Sequence, residues 1–236
     1  MAPRSERPLD PFERYLQLIE HYPEQVGDPK LELDRDVIAR TIAGCYGFFR
    51  RHSPSPLPGV VCETPFHLVT FDIVRGLDGR LRPYLRHMMN PERGPSVVVL
   101  ARAGDELVLV DHERLHPNRR SPEAVAGMGE AGLEPAEQAR KEVLEELGAE
   151  VLQLFALGAS WRDDAEVRYF LAEIDAAPGA LDEDEDIHGQ IRIPVSGIDA
   201  AIAAGELTSD ELLVAITRAR AFGLLEVAAR DDRRRE

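Results

Sequence analysis

The sequence is poor in cysteine and in long apolar runs, and each shortage excludes a class of protein. Its two cysteines, Cys45 and Cys62, do not form a CxxC pair. A disulfide-stabilised secreted scaffold is therefore not expected, and both thiols should pack as small hydrophobic side chains in a reducing compartment. The longest apolar stretch, Thr41 to Phe49, is too short to cross a bilayer, and the N-terminal MAPRSERPLDPF lacks the apolar run of a signal peptide. We therefore predict a soluble, cytoplasmic protein with no membrane partner.

Positive charge is also in short supply. The chain has 28 Lys and Arg residues against 43 Asp and Glu residues, which gives a formal net charge of −15. A surface of this sign repels a phosphate backbone, so a nucleic-acid partner is not expected. A small phosphorylated ligand is compatible with the charge, because a metal ion and a few arginines can reverse its sign inside one cleft.

The apolar pattern changes from helical to strand-like near residue 60. Asp10-Pro11 predicts a helix start, a second helix is expected over about 34–51, and SPSPLPG at 53–59 is typical of a linker. Strands are predicted over 66–74, 81–88, 96–100, 106–110, 151–157, 167–174 and 190–195, and further helices over 135–147, 197–204 and 209–227. This order predicts an α+β fold, with an N-terminal helical extension at 1–60 and a second domain at 61–236.

The segment that indicates chemistry covers residues 126–149, AGMGEAGLEPAEQARKEVLEELGA. Glu142, Glu145 and Glu146 are spaced i, i+3, i+4, so their side chains lie on one face of the predicted helix. Like charges at that spacing destabilise a helix, whereas a divalent cation such as Mg²⁺ binds carboxylate oxygens together with substrate phosphate. A solvated acidic helix face is the alternative reading of the spacing. A glycine-containing turn precedes the helix and Gly148 ends it where a C-terminal cap belongs, but the spacing alone leaves both readings open.

This segment resembles the Nudix signature, G-x5-E-x7-R-E-U-x-E-E-x-G-U, in which U is aliphatic. Gly127 matches the first glycine, and 142–149 (EVLEELGA) match the end of the pattern in register. The resemblance implies a Nudix α/β/α sandwich with a mixed sheet, preceded here by the helical extension. It also implies a hydrolase that uses Mg²⁺ or Mn²⁺, in which Glu142, Glu145 and Glu146 bind the metal and Glu142 and Glu146 are catalytic.

Three features depart from the family pattern. Leu133 stands where the first signature glutamate is expected, and Lys141 replaces the signature arginine. Lys141 can still pair with Glu145 four residues later, but as a point charge without the planar fork of arginine. The Ser-Pro-Gly loop of the related branch is replaced by GASWRDDAE at 158–166, where Trp161 is expected either to stack on a base or sugar or simply to pack.

The approach to the signature resembles that of ADP-ribose pyrophosphatases and related nucleotide-sugar hydrolases. In EAVAGM at 123–128, the resemblance implies that the carbonyl oxygen of Ala126 binds a metal and that Glu123 contacts substrate. VLVDHER, which ends at Arg114, resembles the strand and loop whose arginine holds the substrate phosphate. The alternative for Arg114 is an exposed arginine in a basic loop with Arg119 and Arg120.

An acidic loop further along the chain resembles the loop that supplies the base in this branch. In LDEDEDIHGQIRI, which begins at Leu181, the register implies Glu183 as the general base and Glu185 as an additional metal ligand. Clustered carboxylates beside a metal can raise the pKa of one member while another stays ionised, which suits water activation. A flexible acidic loop is the alternative.

The leading hypothesis is Mg²⁺-dependent cleavage of a nucleoside diphosphate derivative, ADP-ribose or another nucleotide sugar, to NMP and a phosphorylated product. The rival hypothesis is a catalytically weak Nudix domain that senses a nucleotide or sugar nucleotide, which the departures at Leu133 and Lys141 favour. A third hypothesis makes the N-terminal helices an interaction module and the remaining domain a scaffold. The resemblance also implies a homodimer formed through the N-terminal segments.

Overall fold

The computed structural model describes residues 10–44, 58–114, 119–162, 165–175 and 187–225. These residues form two compact units, with the main division between Arg93 and Gly94. The division lies further along the chain than residue 60, and the assignment of domains to 1–60 and 61–236 stays a prediction. No helix within the described ranges is both long enough and apolar enough to span a membrane.

The first unit combines two helices with three strands. Its elements are α1 (Pro11–His21), α2 (Arg35–Gly44), β1 (Gly59–Glu63), β2 (His67–Arg75) and β3 (Leu81–Met89). The strands form an antiparallel sheet in the order β1-β2-β3. Asp10 caps α1 by accepting hydrogen bonds from the backbone N–H groups of Phe12 and Glu13, and Pro11 lies in the first turn. The predicted start of this helix is confirmed.

A buried polar network ties α1 to β2 and β3. The Tyr15 hydroxyl donates to Oδ1 of Asp72 at 2.5 Å, and Nε of Arg86 donates to Oδ2 of the same carboxylate at 2.5 Å. Burial raises the pKa of Tyr15 and the charge of Asp72 raises it further, so the hydroxyl keeps the proton that it donates. Moving α1 away would leave the buried Asp72 carboxylate without the Tyr15 hydrogen bond, so this contact holds α1 against the sheet.

The second unit carries the acidic helix. Its elements are β4 (Ser96–Ala103), β5 (Glu106–Arg114), β6 (Arg119–Glu123), β7 (Val125–Gly127), α3 (Pro135–Leu147), β8 (Val151–Arg162), β9 (Ala165–Ile174), β10 (Ile187–Pro194), a 3₁₀ turn (Val195–Gly197), α4 (Ile198–Ala203) and α5 (Asp210–Ala221). The described strands form a sheet in the order β10-β5-β4-β9-β8, with β6 paired to β5 and β7 paired to β4. The sheet is mixed, because β4 runs parallel to β9 and antiparallel to β5 and β7.

The side chains of β4 alternate between the two faces of this sheet. Val97 and Val99 pack in a core with residues of α3, whereas Val98 and Leu100 pack in a second core with residues of α4 and α5. A strand buried on both faces needs an uninterrupted apolar run, which SVVVL supplies. Helices therefore cover both faces of the sheet, and the predicted α+β class with a mixed-sheet α/β/α sandwich is confirmed.

Some element boundaries differ from the sequence prediction. β1 begins at Gly59, where the predicted linker ends, and β1, β6 and β7 have no predicted counterpart. β6 (RRSPE) has no apolar alternation and β7 is three residues long, so both depend on pairing with β5 and β4. α5 ends at Ala221, before the predicted residue 227, and Gly223 has a left-handed φ of 69°. The last part of the predicted second helix, residues 45–51, lies outside the described residues.

Candidate active site

Helix α3 presents a buried polar row along one face. Gln138, Glu142 and Glu146 follow one another at i, i+4 spacing, with exposed fractions of 1%, 8% and 4%. Glu145 lies beside this row and is partly exposed. Gly148 adopts the left-handed conformation at the end of the helix and its N–H group donates to the Leu144 carbonyl. The three predicted metal-binding glutamates therefore share one side of the helix but differ in burial.

Strand β7 lies directly against the Glu142 side chain. A Cβ atom added to Gly127 would be 1.9 Å from Oε1 and 2.0 Å from Cδ of Glu142. Only a residue without a side chain leaves this space to the carboxylate. Ala126 precedes Gly127 and pairs with Val98 of β4. The fold thus brings the predicted ligand Ala126 and the predicted ligand Glu142 onto adjoining elements.

Gln138 contacts the same carboxylate from within α3. Its amide nitrogen Nε2 donates a short hydrogen bond to Oε1 of Glu142. Its amide oxygen Oε1 is buried and has no hydrogen-bond partner among the described residues. Sequence reasoning passes over Gln138, and its only signal is its position one turn before Glu142.

Lys141 has two carboxylate partners. Its Nζ atom lies 2.6 Å from Oε1 of Glu130 and 3.3 Å from Oε2 of Glu145. The hydrogen bond to Glu130 is the largest cause of a raised pKa for Lys141, and the Glu145 bond adds to it. The pairing expected with Glu145 is present, and the shorter contact goes to Glu130, which sequence reasoning overlooks.

Arg114 and Glu123 form an ion pair at the ends of β5 and β6. Nη2 of Arg114 lies 2.5 Å from Oε2 of Glu123, its Nε atom is 3.2 and 3.1 Å from the two carboxylate oxygens, and the Ser121 hydroxyl donates to Oε1 at 2.8 Å. Burial favours a higher pKa for Glu123, but the hydrogen bonds from Arg114 and Ser121 outweigh it and hold the pKa below the usual value. Glu123 is therefore ionised at neutral pH.

Charges on neighbouring elements, including the acidic helix, also affect the pKa of Arg114. Its pKa is raised first by the hydrogen bonds to Glu123, and the charges of Glu211 and Glu146 contribute to the same direction. Arg114 is exposed, as the basic-loop alternative expects, but its guanidinium is held by the ion pair with Glu123. The predicted phosphate-binding arginine thus lies in the electrostatic field of a predicted metal ligand.

The donor groups around α3 fit a divalent cation. Two buried carboxyl groups, those of Glu142 and Glu146, lie one helical turn apart, and carboxylate oxygen is the donor that Mg²⁺ prefers. Within the described ranges, no three His, Cys, Asp or Glu side chains already converge as a metal site. Glu183 and Glu185 lie outside the described residues. The ligand set and the general base therefore stay predictions.

Trp161 projects from the end of β8 and is 71% exposed. Of its two predicted roles, plain packing is wrong for the described residues, because most of the side chain faces solvent. The neighbouring Arg162 pairs with Glu211 at the start of α5. An exposed indole close to a held arginine leaves an aromatic face available to a ligand.

Comparison with known proteins adds a family and a fold. Residues 92–210, half of the chain, match the family model of the NUDIX domain, and this range contains every predicted site residue. The chain is also similar to a solved structure, "Crystal structure of ADP compounds hydrolase", with 20% sequence identity and a TM-score of 0.60, covering 70% of this chain and 90% of that chain. At that identity the likeness shows a shared fold. No curated protein sequence matches the chain significantly.

Proposed function

The chain belongs to the Nudix family, and we propose that it is a Mg²⁺-dependent pyrophosphohydrolase acting on a nucleoside diphosphate derivative. The substrate class is ADP-ribose or another nucleotide sugar, and the products are NMP and a phosphorylated sugar or alcohol. The proposal follows from the signature helix together with the Glu123, Ala126 and Arg114 positions. The similar solved structure is named as a hydrolase of ADP compounds, which agrees with this substrate class.

One observation carries the proposal: Glu142 and Glu146 are buried in one row on α3, beside the glycine of β7. Carboxylates at this spacing repel each other when both are ionised, and a divalent cation bound to both removes that repulsion. The buried row therefore places two oxygen ligands on one side of the helix, where one cation could contact both.

The residues divide the work of the reaction between them. Glu142, Glu145, Glu146, the Ala126 carbonyl oxygen and Glu185 would hold the Mg²⁺ (or Mn²⁺) ions. When bound, these ions neutralise the pyrophosphate and lower the pKa of coordinated water. To bind a metal ion, Glu145 would have to break its ion pair with Lys141, which costs little because the pair is exposed.

The remaining groups orient the substrate and accept the proton of the attacking water. Arg114 binds the phosphates through charge-assisted hydrogen bonds, and Glu123 holds the guanidinium in place while contacting the substrate. The low pKa of Glu123 makes it a weak base, so it is suited to accept hydrogen bonds and not to deprotonate water. Glu183 takes the proton from the attacking water, and Trp161 stacks on the base or sugar.

The test is hydrolysis of ADP-ribose, ADP- and GDP-sugars, NADH and nucleoside triphosphates, followed by chromatographic detection of the NMP product, in Mg²⁺ and in EDTA. We expect Mg²⁺-dependent turnover of one class, which Glu146→Gln lowers by orders of magnitude without changing the fold. Glu137→Gln, an exposed change on the same helix, is the matched control and should leave turnover intact. Near-normal turnover by Glu146→Gln would overturn the metal assignment.

A second candidate function is sensing without efficient hydrolysis. Leu133 and Lys141, which depart from the signature, favour it, because Lys141 meets Glu130 and Glu145 as a point charge without the planar fork of arginine. Tight binding of a nucleotide sugar, measured by thermal shift, with no Mg²⁺-dependent product would decide for the sensor.

Assembly and location complete the proposal. The protein acts in the cytoplasm as a homodimer that pairs through its N-terminal segments, without nucleic-acid or membrane partners. Light scattering at micromolar concentration should give twice the mass of one chain, and a monomer would remove the dimer from the proposal.

A further inference from the structure

Gln138 is a polar side chain in a position that favours an apolar one. It is 1% exposed within α3, and its neighbours Ala139 and Val143 belong to the hydrophobic core beneath the helix. Its amide oxygen is buried and has no hydrogen-bond partner among the described residues. A buried amide oxygen without a partner is destabilising, so packing alone would select Leu or Met at this position.

The orientation of the amide is dictated by Glu142. Turning the amide round would bring its oxygen, an acceptor, against the acceptor Oε1 of Glu142, whereas the observed orientation lets Nε2 donate to that atom. The orientation that allows the hydrogen bond to Glu142 is therefore the one that leaves the amide oxygen without a partner. Gln138 satisfies the carboxylate and leaves its own acceptor unsatisfied.

The Glu142 carboxylate is confined from two sides as a result. Gly127 borders it on β7, where any side chain would collide with it, and Gln138 holds Oε1 from one helical turn away. Residues that orient a metal ligand through a hydrogen bond raise metal affinity, since the ligand does not lose conformational freedom on binding. This arrangement accounts for a glutamine that packing does not explain.

We propose that Gln138 is a positioning residue for the cation site: its amide nitrogen holds the Glu142 carboxylate in the orientation that binds the divalent ion. The inference rests on the proposed function, because it requires Glu142 to be a metal ligand. It adds a residue that the signature pattern leaves unspecified.

The test is Mn²⁺ binding to the full chain, measured by isothermal titration and by the EPR signal of free Mn²⁺, with thermal unfolding in EDTA as the second readout. Gln138→Met removes the hydrogen bond and the unpaired oxygen while keeping the shape of the side chain. We expect binding about 10- to 100-fold weaker than in the wild type, with an unfolding temperature in EDTA that is unchanged or higher. Gln138→Leu should behave in the same way.

The matched control is Gln190→Met. Gln190 also donates from its amide to α3, but to the Leu147 carbonyl at the far end of the helix, at 2.8 Å. It should bind Mn²⁺ with wild-type affinity even if its unfolding temperature falls.

Three outcomes would overturn the inference in distinguishable ways. Wild-type Mn²⁺ affinity in both Gln138 variants shows that the hydrogen bond does not position a ligand. Weaker binding accompanied by an equal loss of stability in EDTA shows a structural role only. No Mn²⁺ binding by the wild-type chain removes the proposed function itself, and the positioning role with it.

Discussion

Replacing Gly127 by alanine tests the site through one methyl group. The added Cβ would lie 1.9 Å from Oε1 and 2.6 Å from Cγ of Glu142, and real Cβ atoms essentially never approach closer than 3.0 Å. The carboxylate must therefore move by about 1 Å, which is the scale of displacement that can lower catalysis by about 100-fold. Because Cγ is also too close, rotating only the carboxylate does not relieve the collision.

The expected loss of stability is smaller than the expected loss of activity. Inserting a methyl group into a packed position costs about 1–3 kcal/mol, and an off-rotamer side chain costs about 0.5–1.5 kcal/mol. A domain of ordinary stability survives such a loss, so Gly127→Ala should remain folded. Urea denaturation measures the stability, and Mg²⁺-dependent turnover on the substrate found in the panel measures the activity.

The control is Gly189→Ala in β10, where an added Cβ has no atom within 4 Å. It should match the wild type in both assays. The reasoning is refuted if Gly127→Ala turns over substrate at the wild-type rate while Glu142→Gln is inactive, because the position of the Glu142 carboxylate would then not matter.

Two further changes probe the charged networks. Asp72→Asn leaves Arg86 without its buried counter-charge and should lower the free energy of unfolding by about 3–5 kcal/mol in urea denaturation. The control is Asp78→Asn, in the exposed pair with Arg82, which should lower the free energy of unfolding by only a small fraction of that. Equal losses in the two variants would contradict the buried network. Glu123 has a pKa below that of an unfolded glutamate, so its contribution to stability is complete above the unfolded pKa and disappears as the pH falls through the lower folded pKa. Glu123→Gln should therefore lower the free energy of unfolding at pH 7 by about 1–3 kcal/mol and by less at pH 3. Urea denaturation at the two pH values measures this difference. A difference that does not change with pH would refute the ionised state of Glu123.

The different surroundings of the three glutamates suggest different parts in the proposed reaction. Glu142 and Glu146 are already buried, whereas Glu145 is partly exposed and paired with Lys141. A buried carboxylate has little bound water left to lose when the cation arrives. Glu145 instead has to exchange the ammonium group of Lys141 for the metal ion. We therefore expect Glu145→Gln to weaken Mn²⁺ binding less than Glu146→Gln does, in the same titration.

Local signals in the sequence determined the acidic helix and the class of fold. Helix α3 covers the predicted residues 135–147, because Pro135 suits a first turn and Gly148 ends the helix in the left-handed conformation. The run SVVVL predicts a buried strand, and β4 is that strand. The Nudix signature is likewise linear, so the family could be recognised from its spacing alone. Each of these features depends on residues close together in the chain.

The tertiary structure decided which contacts the acidic face makes. Helical spacing places Glu142, Glu145 and Glu146 on one side, but it does not specify that β7 presents Gly127 to one of them. The pairing of Lys141 with Glu130 and the buried amide of Gln138 were equally hidden, since a loop contact and an unsatisfied oxygen have no periodic pattern. β6 and β7 carry too little apolar alternation to be recognised alone, and they form because β5 and β4 offer backbone groups to pair with. Spacing along the chain orients a side chain, whereas the neighbours that give it a chemical role come from strands distant in sequence.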